Sequence, residues 1–507
     1  MSESRSYRQI LKSTSIIGGA SVLNIGIGLV RTKIAAVLLG PAGVGLIGLF
    51  NNLIGTASTL AGLGFSTVGT RQIAEASGRG DHVAMGAARR ALLWGTLILA
   101  LIGGAAVFGF RRSLATYVLD DSRLFARVGW LGIGVALTVV AGSQGALLNG
   151  MRRIGDIARV RVYSAVLSTV VGCAAIVLWG EAAIITFVLA APTGSFLFGR
   201  LFVARLPAIQ APPSELKALC SQWRVLSRLG AAFMLAGLVA NAGQLVVRSL
   251  VQRELGAAQL GHFQAAWAIS MTYLGLILSA MGTDYYPRLT EAIHEPREAN
   301  RMVNEQTEVA LLLAAPILLA MLGLAPWVIE LLYSSRFSEA ASILRWHVLG
   351  DLLKIASWPL GFVILAAGDG RTYLLSELTA MVAFVALVKL GLPLFGIVVT
   401  GAAFVCMYFL YLPLVYVLAR RRTGFRWTST VARQLAALAA SNLALFGLAG
   451  WSRAAGGVAG IVLAGAFGFY GARRMARLSD MGSSPRVRAL LARVSFGSKK
   501  PRPGAES

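Results

Sequence analysis

Charge is scarce in this chain. Only 14% of its 507 residues are Asp, Glu, Lys or Arg, against about a quarter in an ordinary soluble domain. That scarcity excludes a water-soluble globular protein. Cysteine is nearly absent as well: Cys173, Cys220 and Cys406 are odd in number and fall in apolar or basic stretches, so no disulfide framework is implied. The histidines, His82, His262, His294 and His347, are scattered without metal-ligand spacing. There is no glycine-rich phosphate loop of the Gly-x-x-x-x-Gly-Lys-Ser/Thr type, which excludes the usual route of ATP hydrolysis. Asp120 and Asp121 are adjacent carboxylates, but beside Arg123 in a short loop they read as a solvated turn rather than a catalytic dyad. No metal or cofactor is expected, and no enzyme.

What the chain does have is apolar length. It is 56% hydrophobic, with a mean hydropathy of +0.69. Runs of about 17 to 25 apolar residues, each able to cross roughly 30 Å of hydrocarbon as a helix, recur about fourteen times. A first group covers 14–36, 44–67, 91–110, 128–148, 162–179 and 182–202. A second covers 226–247, 263–281, 309–332, 341–366, 374–392 and 398–418, and weaker spans follow at 431–448 and 458–469. Residues 1–12 lack the apolar core and cleavage site of a removable signal peptide. The expected organisation is therefore 1–217, a first six-helix bundle; 218–420, a second; 421–470, two additional helices; and 471–507, a basic tail.

The net charge of +25 would suit nucleic acid, but its distribution argues otherwise. Most of the 47 Lys and Arg residues lie in alternate loops and at the two termini, including Arg89, Arg90, Arg152, Arg153, Arg200, Arg205, Arg420, Arg421 and Arg422. This is the positive-inside pattern of a membrane protein with both termini in the cytoplasm. The tail, with Arg486, Arg488, Arg493, Lys499 and Lys500, is expected to rest on anionic lipid. No nucleic-acid partner is expected.

The two six-span groups resemble each other. Sliding the second onto the first so that Asn241 meets Asn24 brings Gly243 to Gly26, Arg248 to Arg31 and Arg288 to Arg71. A one-residue slip then aligns Gly256 with Gly40 and Gly261 with Gly45. An even number of spans per repeat makes both halves enter the membrane in the same direction, which predicts a parallel repeat about a pseudo-two-fold axis along the membrane normal. A central cationic cavity between the halves is the expected consequence.

Charges inside the spans mark that cavity, because each costs roughly 2.5 to 3.5 kcal/mol at bilayer depth. Asn24 and Arg31 share one helix face, as do Asn241 and Arg248. Arg31 and Arg248 either face a cavity or snorkel to the headgroups. Asp351 and Lys354 are helix neighbours, either a structural ion pair or a charge switch in which loading of the carboxylate frees the lysine for an anion. Glu377 either caps its helix or couples an ion, and Lys389 on the same helix either binds an anion or snorkels.

Gly40-Pro41-Ala42-Gly43-Val44-Gly45, Ser335-Arg336-Phe337, Gly350-Asp351-Leu352-Leu353-Lys354 and the stretch containing Glu377 resemble the Wzx-type O-antigen and polysaccharide translocases. These belong to the multidrug, oligosaccharidyl-lipid and polysaccharide exporter superfamily, and the likeness covers about residues 10 to 420. The resemblance implies two six-helix bundles around a cavity, in the bacterial inner membrane. It implies a flippase for undecaprenyl-diphosphate-linked oligosaccharide, working beside polysaccharide polymerase or export machinery. On that reading Arg31, Lys33, Arg248, Lys354 and Lys389 contact the anionic substrate, while Asp351 and Glu377 couple protons or sodium. The last two spans depart from twelve-helix relatives and are similar to those of the lipid II flippases, which is the alternative reading. A cationic-drug exporter would want an acidic cavity. A membrane polymerase would want long outward loops, whereas the longest one expected here, 282–308, lies on the inward side.

Overall fold

The computed structural model describes residues 2–207 and 216–480, with side chains omitted at 2–18, 216–221, 279–284, 478–480 and scattered positions in 225–236. The outer part of the basic tail, with Arg486, Arg488, Arg493, Lys499 and Lys500, lies outside the described residues, as does the side chain of Cys220. Among the described residues every regular element is a helix. They are α1 (Ser2–Gly62), α2 (Phe65–Arg79), α3 (His82–Gly109), α4 (Arg111–Tyr117), α5 (Phe125–Gly150), α6 (Ile154–Trp179) and α7 (Ile184–Ala204). There follow α8 (Leu216–Ala292), α9 (Pro296–Leu332), α10 (Ala340–Ala366), α11 (Gly370–Phe395), α12 (Val399–Thr423), α13 (Ser429–Trp451) and α14 (Arg453–Asp480). Nine segments of the described chain are long and apolar enough to cross a membrane, and three of them, of 44, 51 and 54 residues, exceed the length of one crossing.

Each expected span lies within one of these helices, give or take two residues at its ends, with one exception, and several helices run well beyond the span expected in them. The span expected at 44–67 overruns a break at Leu63 (φ 46) and Gly64 (φ 68), beyond which α2 sets off as a separate amphipathic helix. It buries Phe65, Val68, Ile73 and Ala76 and exposes Arg71, Glu75 and Arg79, with Arg71 2.7 Å from Glu75. The hydrogen bond from Arg71 holds the Glu75 carboxylate below its usual range. The long loop expected at 282–308 does not exist as a loop. α8 runs on to Ala292 and α9 starts at Pro296, because the polar residues there are good helix formers that lengthen both helices beyond the apolar stretch.

Two glycines punctuate the long helices. α1 breaks at Gly40 (φ 66, ψ −168) and α8 at Gly256 (φ 83, ψ 174), the positions that the internal repeat aligns. Positive φ with extended ψ is a conformation that only glycine adopts without strain. Arg336 covers the first break, since a Cβ on Gly40 would sit 2.9 Å from its guanidinium carbon. Two motifs far apart in sequence, Gly40-Pro41 and Ser335-Arg336-Phe337, are thus one structural feature. Beyond the breaks a Cβ on Gly45 would lie 2.5 Å from the carbonyl oxygen of Ala257 and 2.8 Å from the amide nitrogen of Gly261. In a membrane, where apolar helices gain no hydrophobic advantage over lipid, such backbone approach is a principal source of helix association.

The chain divides into two compact units. One holds the described residues up to Trp267 with Ile329–Ile343 and Glu377–Ala403, and the other holds Ala268–Val328, Leu344–Ser376 and the described chain from Phe404 onward. In the first, Phe65, Ile73, Leu92, Leu147, Phe202 and Leu226 form a buried cluster. In the second, α10 is the most enclosed of the described spans, with 72% of its apolar window buried. At the solvent ends, Asp121 accepts from the Arg123 backbone at 2.9 Å and its side chain at 3.0 Å, and that pairing holds its carboxylate below the usual range. Asp120 lies 3.7 Å from Arg253. The pair is the solvated turn expected from the sequence.

Candidate functional site

In the first unit Arg31 opens onto a cavity of about 310 Å³ lined by Asn24, Ile27, Gly28, Arg161, Ser164, Ala165, Ser168, Thr169, Ala191 and Ser195. The helices α1, α6 and α7 supply these residues, and serines recur on α6 at Ser164 and Ser168, one turn apart. Arg31 Nη2 donates to the carbonyl oxygen of Phe187 and Nη1 reaches Ser168 Oγ at 3.5 Å. Its guanidinium carbon lies 4.1 Å from the centroid of the Phe187 ring. Nε is buried without a hydrogen-bond partner among the described residues. A guanidinium so placed is oriented by a carbonyl and an aromatic face and keeps donor capacity, which suits it to an incoming anion.

Lys33, on the same helix, points elsewhere. Its Nζ donates to the carbonyl oxygen of Glu330 at 3.0 Å. That carbonyl is in the last turn of α9, which has no intrahelical partners, so the ammonium caps the helix where its dipole favours a cation. Arg248 is enclosed, with only 4% of its surface exposed. Its Nε donates to Gln264 Oε1 at 3.1 Å and its Nη1 to Gln244 Oε1 at 2.7 Å. Phe263 and Trp267 present ring faces at 5.5 and 5.9 Å. Among the described residues Arg31, Lys33 and Arg248 share no hydrogen-bond partner. Neither glutamine was visible as a functional residue in the sequence, although Gln244 lies one turn before Arg248 on the same face.

Glu377 is half-buried on α11. It does not cap the helix: Asp369 does, accepting from the Thr372 amide at 3.0 Å and its hydroxyl at 2.7 Å. The Thr372 hydroxyl bond holds the Asp369 carboxylate below its usual range, and Arg422 pairs with the same carboxylate. Lys389 is exposed near the far end of α11, beside Leu390, Leu394 and Phe395, each at least 70% exposed.

In the second unit Asp351 is wholly buried on α10. Its carboxylate accepts from Ser270 Oγ at 2.8 Å and from the Tyr273 hydroxyl. Lys354 Nζ lies 3.6 Å from Met271 Sδ, and 6.0 and 5.8 Å from the ring centroids of Phe404 and Tyr408. Helical spacing makes Asp351 and Lys354 neighbours, and Ser270 and Tyr273 donate hydrogen bonds to the carboxylate. They sit on α8, about eighty positions away in sequence, and no local pattern could have revealed them. Gly350 provides the close packing here, since a Cβ would be 2.9 Å from Phe404 Cε1. Among the described residues no group of His, Cys, Asp and Glu could hold a metal ion.

Comparison with known proteins agrees with this architecture. Residues 10–293 match the polysaccharide biosynthesis protein family. The chain is 24% identical over 433 residues to the lipid III flippase of Escherichia coli K12, an alignment covering 82% of this chain and 99% of that one. The lipid III flippase of Shigella flexneri matches equally. Among solved structures, the lipid II flippase MurJ in an inward closed conformation superposes with a TM-score of 0.70 at 12% identity, covering 92% of this chain and 99% of that one. An inward-facing multidrug resistance MATE family transporter of the MOP superfamily superposes with a TM-score of 0.65 at 17% identity, covering 80% and 98%. These similar proteins are flippases and transporters rather than enzymes, and their fold is the one described here. With more than half of its length matched, this multi-pass inner-membrane chain belongs to the polysaccharide biosynthesis protein family.

Proposed function

We propose that the protein is a flippase for lipid-linked glycan, carrying an undecaprenyl-diphosphate-linked oligosaccharide, an O-antigen or exopolysaccharide repeat unit, from the cytoplasmic to the periplasmic leaflet by alternating access. The observation that carries this reading is the Arg31 cavity: a guanidinium oriented by backbone and ring, open to a space with five further polar side chains and a second arginine, in a membrane-embedded chain. Diphosphate oxygens match arginine forks, and hydroxyl-bearing sugars match serine and threonine. The lipid III flippases to which the chain is similar favour this substrate class.

In this reading the protein has about fourteen spans, two six-helix bundles about a cationic cavity, and both termini in the cytoplasm. Arg31 is the primary diphosphate contact, and Lys33, Arg248, Lys354 and Lys389 are further contacts recruited during the cycle. Arg248 must exchange its two glutamine acceptors for the diphosphate, which makes it a switchable contact. Asp351 and Glu377 couple transport to a proton or sodium gradient. A buried carboxylate with two hydroxyl neighbours offers oxygen ligands for sodium or a site for a proton, and occupancy alters the field felt by Lys354. A glycan polymerase or export complex is the expected partner.

The test is transport in proteoliposomes with undecaprenyl-diphosphate oligosaccharide, with and without an imposed pH or sodium gradient. Glycan-lipid should reach the far leaflet, faster under one gradient, and Asp351→Asn should lose the gradient response while retaining binding. Transport of lipid II in preference to the oligosaccharide would replace the substrate. Full gradient response in Asp351→Asn would remove Asp351 from coupling.

A further inference from the structure

The helices α13 and α14 play no part in the proposed transport site, yet they form a second polar pocket. It measures about 520 Å³ and is lined by Thr430, Arg433, Gln434, Ala437, Ala466, Phe467, Tyr470 and Arg474. Its layout follows the helix directions. Thr430, Arg433 and Gln434 lie in the first turns of α13, and Tyr470 and Arg474 lie toward the end of α14. The apolar members, Ala437, Ala466 and Phe467, are nearer the middle of both helices. The pocket is polar toward one end of the helix pair and apolar toward its middle.

The polar end follows a stretch of interfacial character in the chain. α12 ends in Arg420, Arg421 and Arg422, immediately before α13 begins, and Tyr416, Phe425 and Trp427 pack there with centroids 5.0 to 6.5 Å apart. Basic residues and clustered aromatics are the interfacial signature of a spanning protein. The helices α13 and α14 are the least enclosed of the described membrane-length segments, each only 22% buried.

The charges in the pocket are arranged for one anion. Arg474 Nε bonds to Glu308 Oε1 at 2.7 Å, which neutralises one arginine with a carboxylate buried on α9. Among the described residues Arg433 bonds through Nε to the Ser429 carbonyl oxygen at 3.1 Å and pairs with no carboxylate, leaving a net single positive charge. Gln434 Nε2 reaches Glu308 and the Tyr470 hydroxyl at 3.4 Å, whereas its carboxamide oxygen is buried and accepts no hydrogen bond among the described residues. An unpaired buried acceptor is unfavourable until a donor meets it. A ligand that presents both a hydroxyl and one negative charge would satisfy the site.

We propose that this pocket is a binding site for an anionic glycerophospholipid. The phosphodiester lies against Arg433 and Arg474, a headgroup hydroxyl donates to Gln434 Oε1, and the upper acyl chain runs past Ala437, Ala466 and Phe467. The site is separate from the transport cavity and fixes the last two helices in a bilayer of the right composition. It explains why helices so little enclosed by protein carry a built polar pocket at one end.

Native mass spectrometry of the purified full-length protein, titrated with phosphatidylglycerol and with phosphatidylcholine, tests it. Phosphatidylglycerol should be retained preferentially, and Arg433→Ala should lower its affinity by about fivefold, the weight of one basic residue at an anionic surface. Gln434→Leu should narrow the preference between the two lipids independently, and it serves should Arg433→Ala fail to fold. Arg297→Ala, an exposed basic residue on α9, should change neither. Equal retention of both lipids, or an unchanged preference in both pocket variants, overturns the proposal. Displacement by excess inorganic phosphate would make this a free-phosphate site, and displacement by undecaprenyl-diphosphate oligosaccharide in preference to phosphatidylglycerol would assign it to the transported lipid. Either result also overturns the proposal.

Discussion

Arg31 and Arg248 occupy equivalent places in the internal repeat, seven residues after an asparagine and shortly before a glycine break, and the structure treats them differently. Arg31 is half-buried and opens onto a polar cavity beside Asn24, whereas Arg248 is sealed between Gln244, Gln264, Phe263 and Trp267. The partner asparagines differ in parallel, since Asn24 lines the cavity and Asn241 Nδ2 donates to Thr59 at 3.0 Å. A repeat preserves backbone landmarks, here the glycine breaks, because few residues can replace them. Side-chain surroundings are free to diverge, and one copy opens onto a polar cavity while the other is a held charge.

The comparison is broken most decisively at Arg31. Arg31→Ala should reduce transport in proteoliposomes by about tenfold to a hundredfold, the worth of a charge-assisted hydrogen bond of roughly 1.5 to 3 kcal/mol. Its thermal unfolding temperature in detergent should stay near the native value. A large fall in unfolding temperature with native transport per folded molecule would reverse the assignment. Arg248→Ala should show the opposite weighting. It strands two amide oxygens in a buried site, and about 2 to 4 kcal/mol of stability should go with them. Arg248→Met restores the stem volume and should recover only the packing part of that loss. Full recovery by methionine would mean that the glutamines do not depend on the charge.

The helices were legible in the sequence because each requires a long apolar run, and spans such as 341–366 fall within a residue of α10 (Ala340–Ala366). The repeat paired Gly40 with Gly256, but the backbone breaks at both were found only in the structure. The break at Leu63 and Gly64 was not legible, because apolar residues continue across it and hydropathy carries no record of φ. The polar extensions of α8 and α9 were read as loop for the converse reason. At the site, the basic residues could be named from their cost in a membrane, but the directions in which they point could not. Ser270 and Tyr273 around Asp351, and Phe187 under Arg31, come from distant helices, and a single sequence holds no trace of such tertiary contacts.

Gln264→Glu sharpens the difference. A carboxylate at that place converts the bond to Arg248 Nε into a charge-assisted one, roughly twice as strong as the neutral bond. If Arg248 leaves its glutamines to meet the diphosphate, transport should fall about fivefold, equivalent to about 1 kcal/mol of extra hold, while the unfolding temperature stays level or rises. Native transport in a protein made more stable would mark Arg248 as structural throughout the cycle.

The smallest effect separates the two things that Phe187 does for Arg31. Its carbonyl oxygen accepts from Nη2, and its ring lies 4.1 Å from the guanidinium carbon. Phe187→Leu keeps the carbonyl and removes the ring's quadrupole, a contribution of about 0.5 to 1 kcal/mol where water reaches the pair. The guanidinium should hold its direction through the backbone contact, so transport should fall by no more than about threefold to fivefold, with the loss in substrate affinity rather than in maximal rate. The equivalent change at Arg248, Phe263→Leu, should leave transport alone and lower the unfolding temperature, because that ring is a wall of a closed site. If Phe187→Leu abolishes transport as completely as Arg31→Ala, the ring and not the carbonyl sets the guanidinium's direction, and the placement of Arg31 depends on aromatic packing as much as that of Arg248 does.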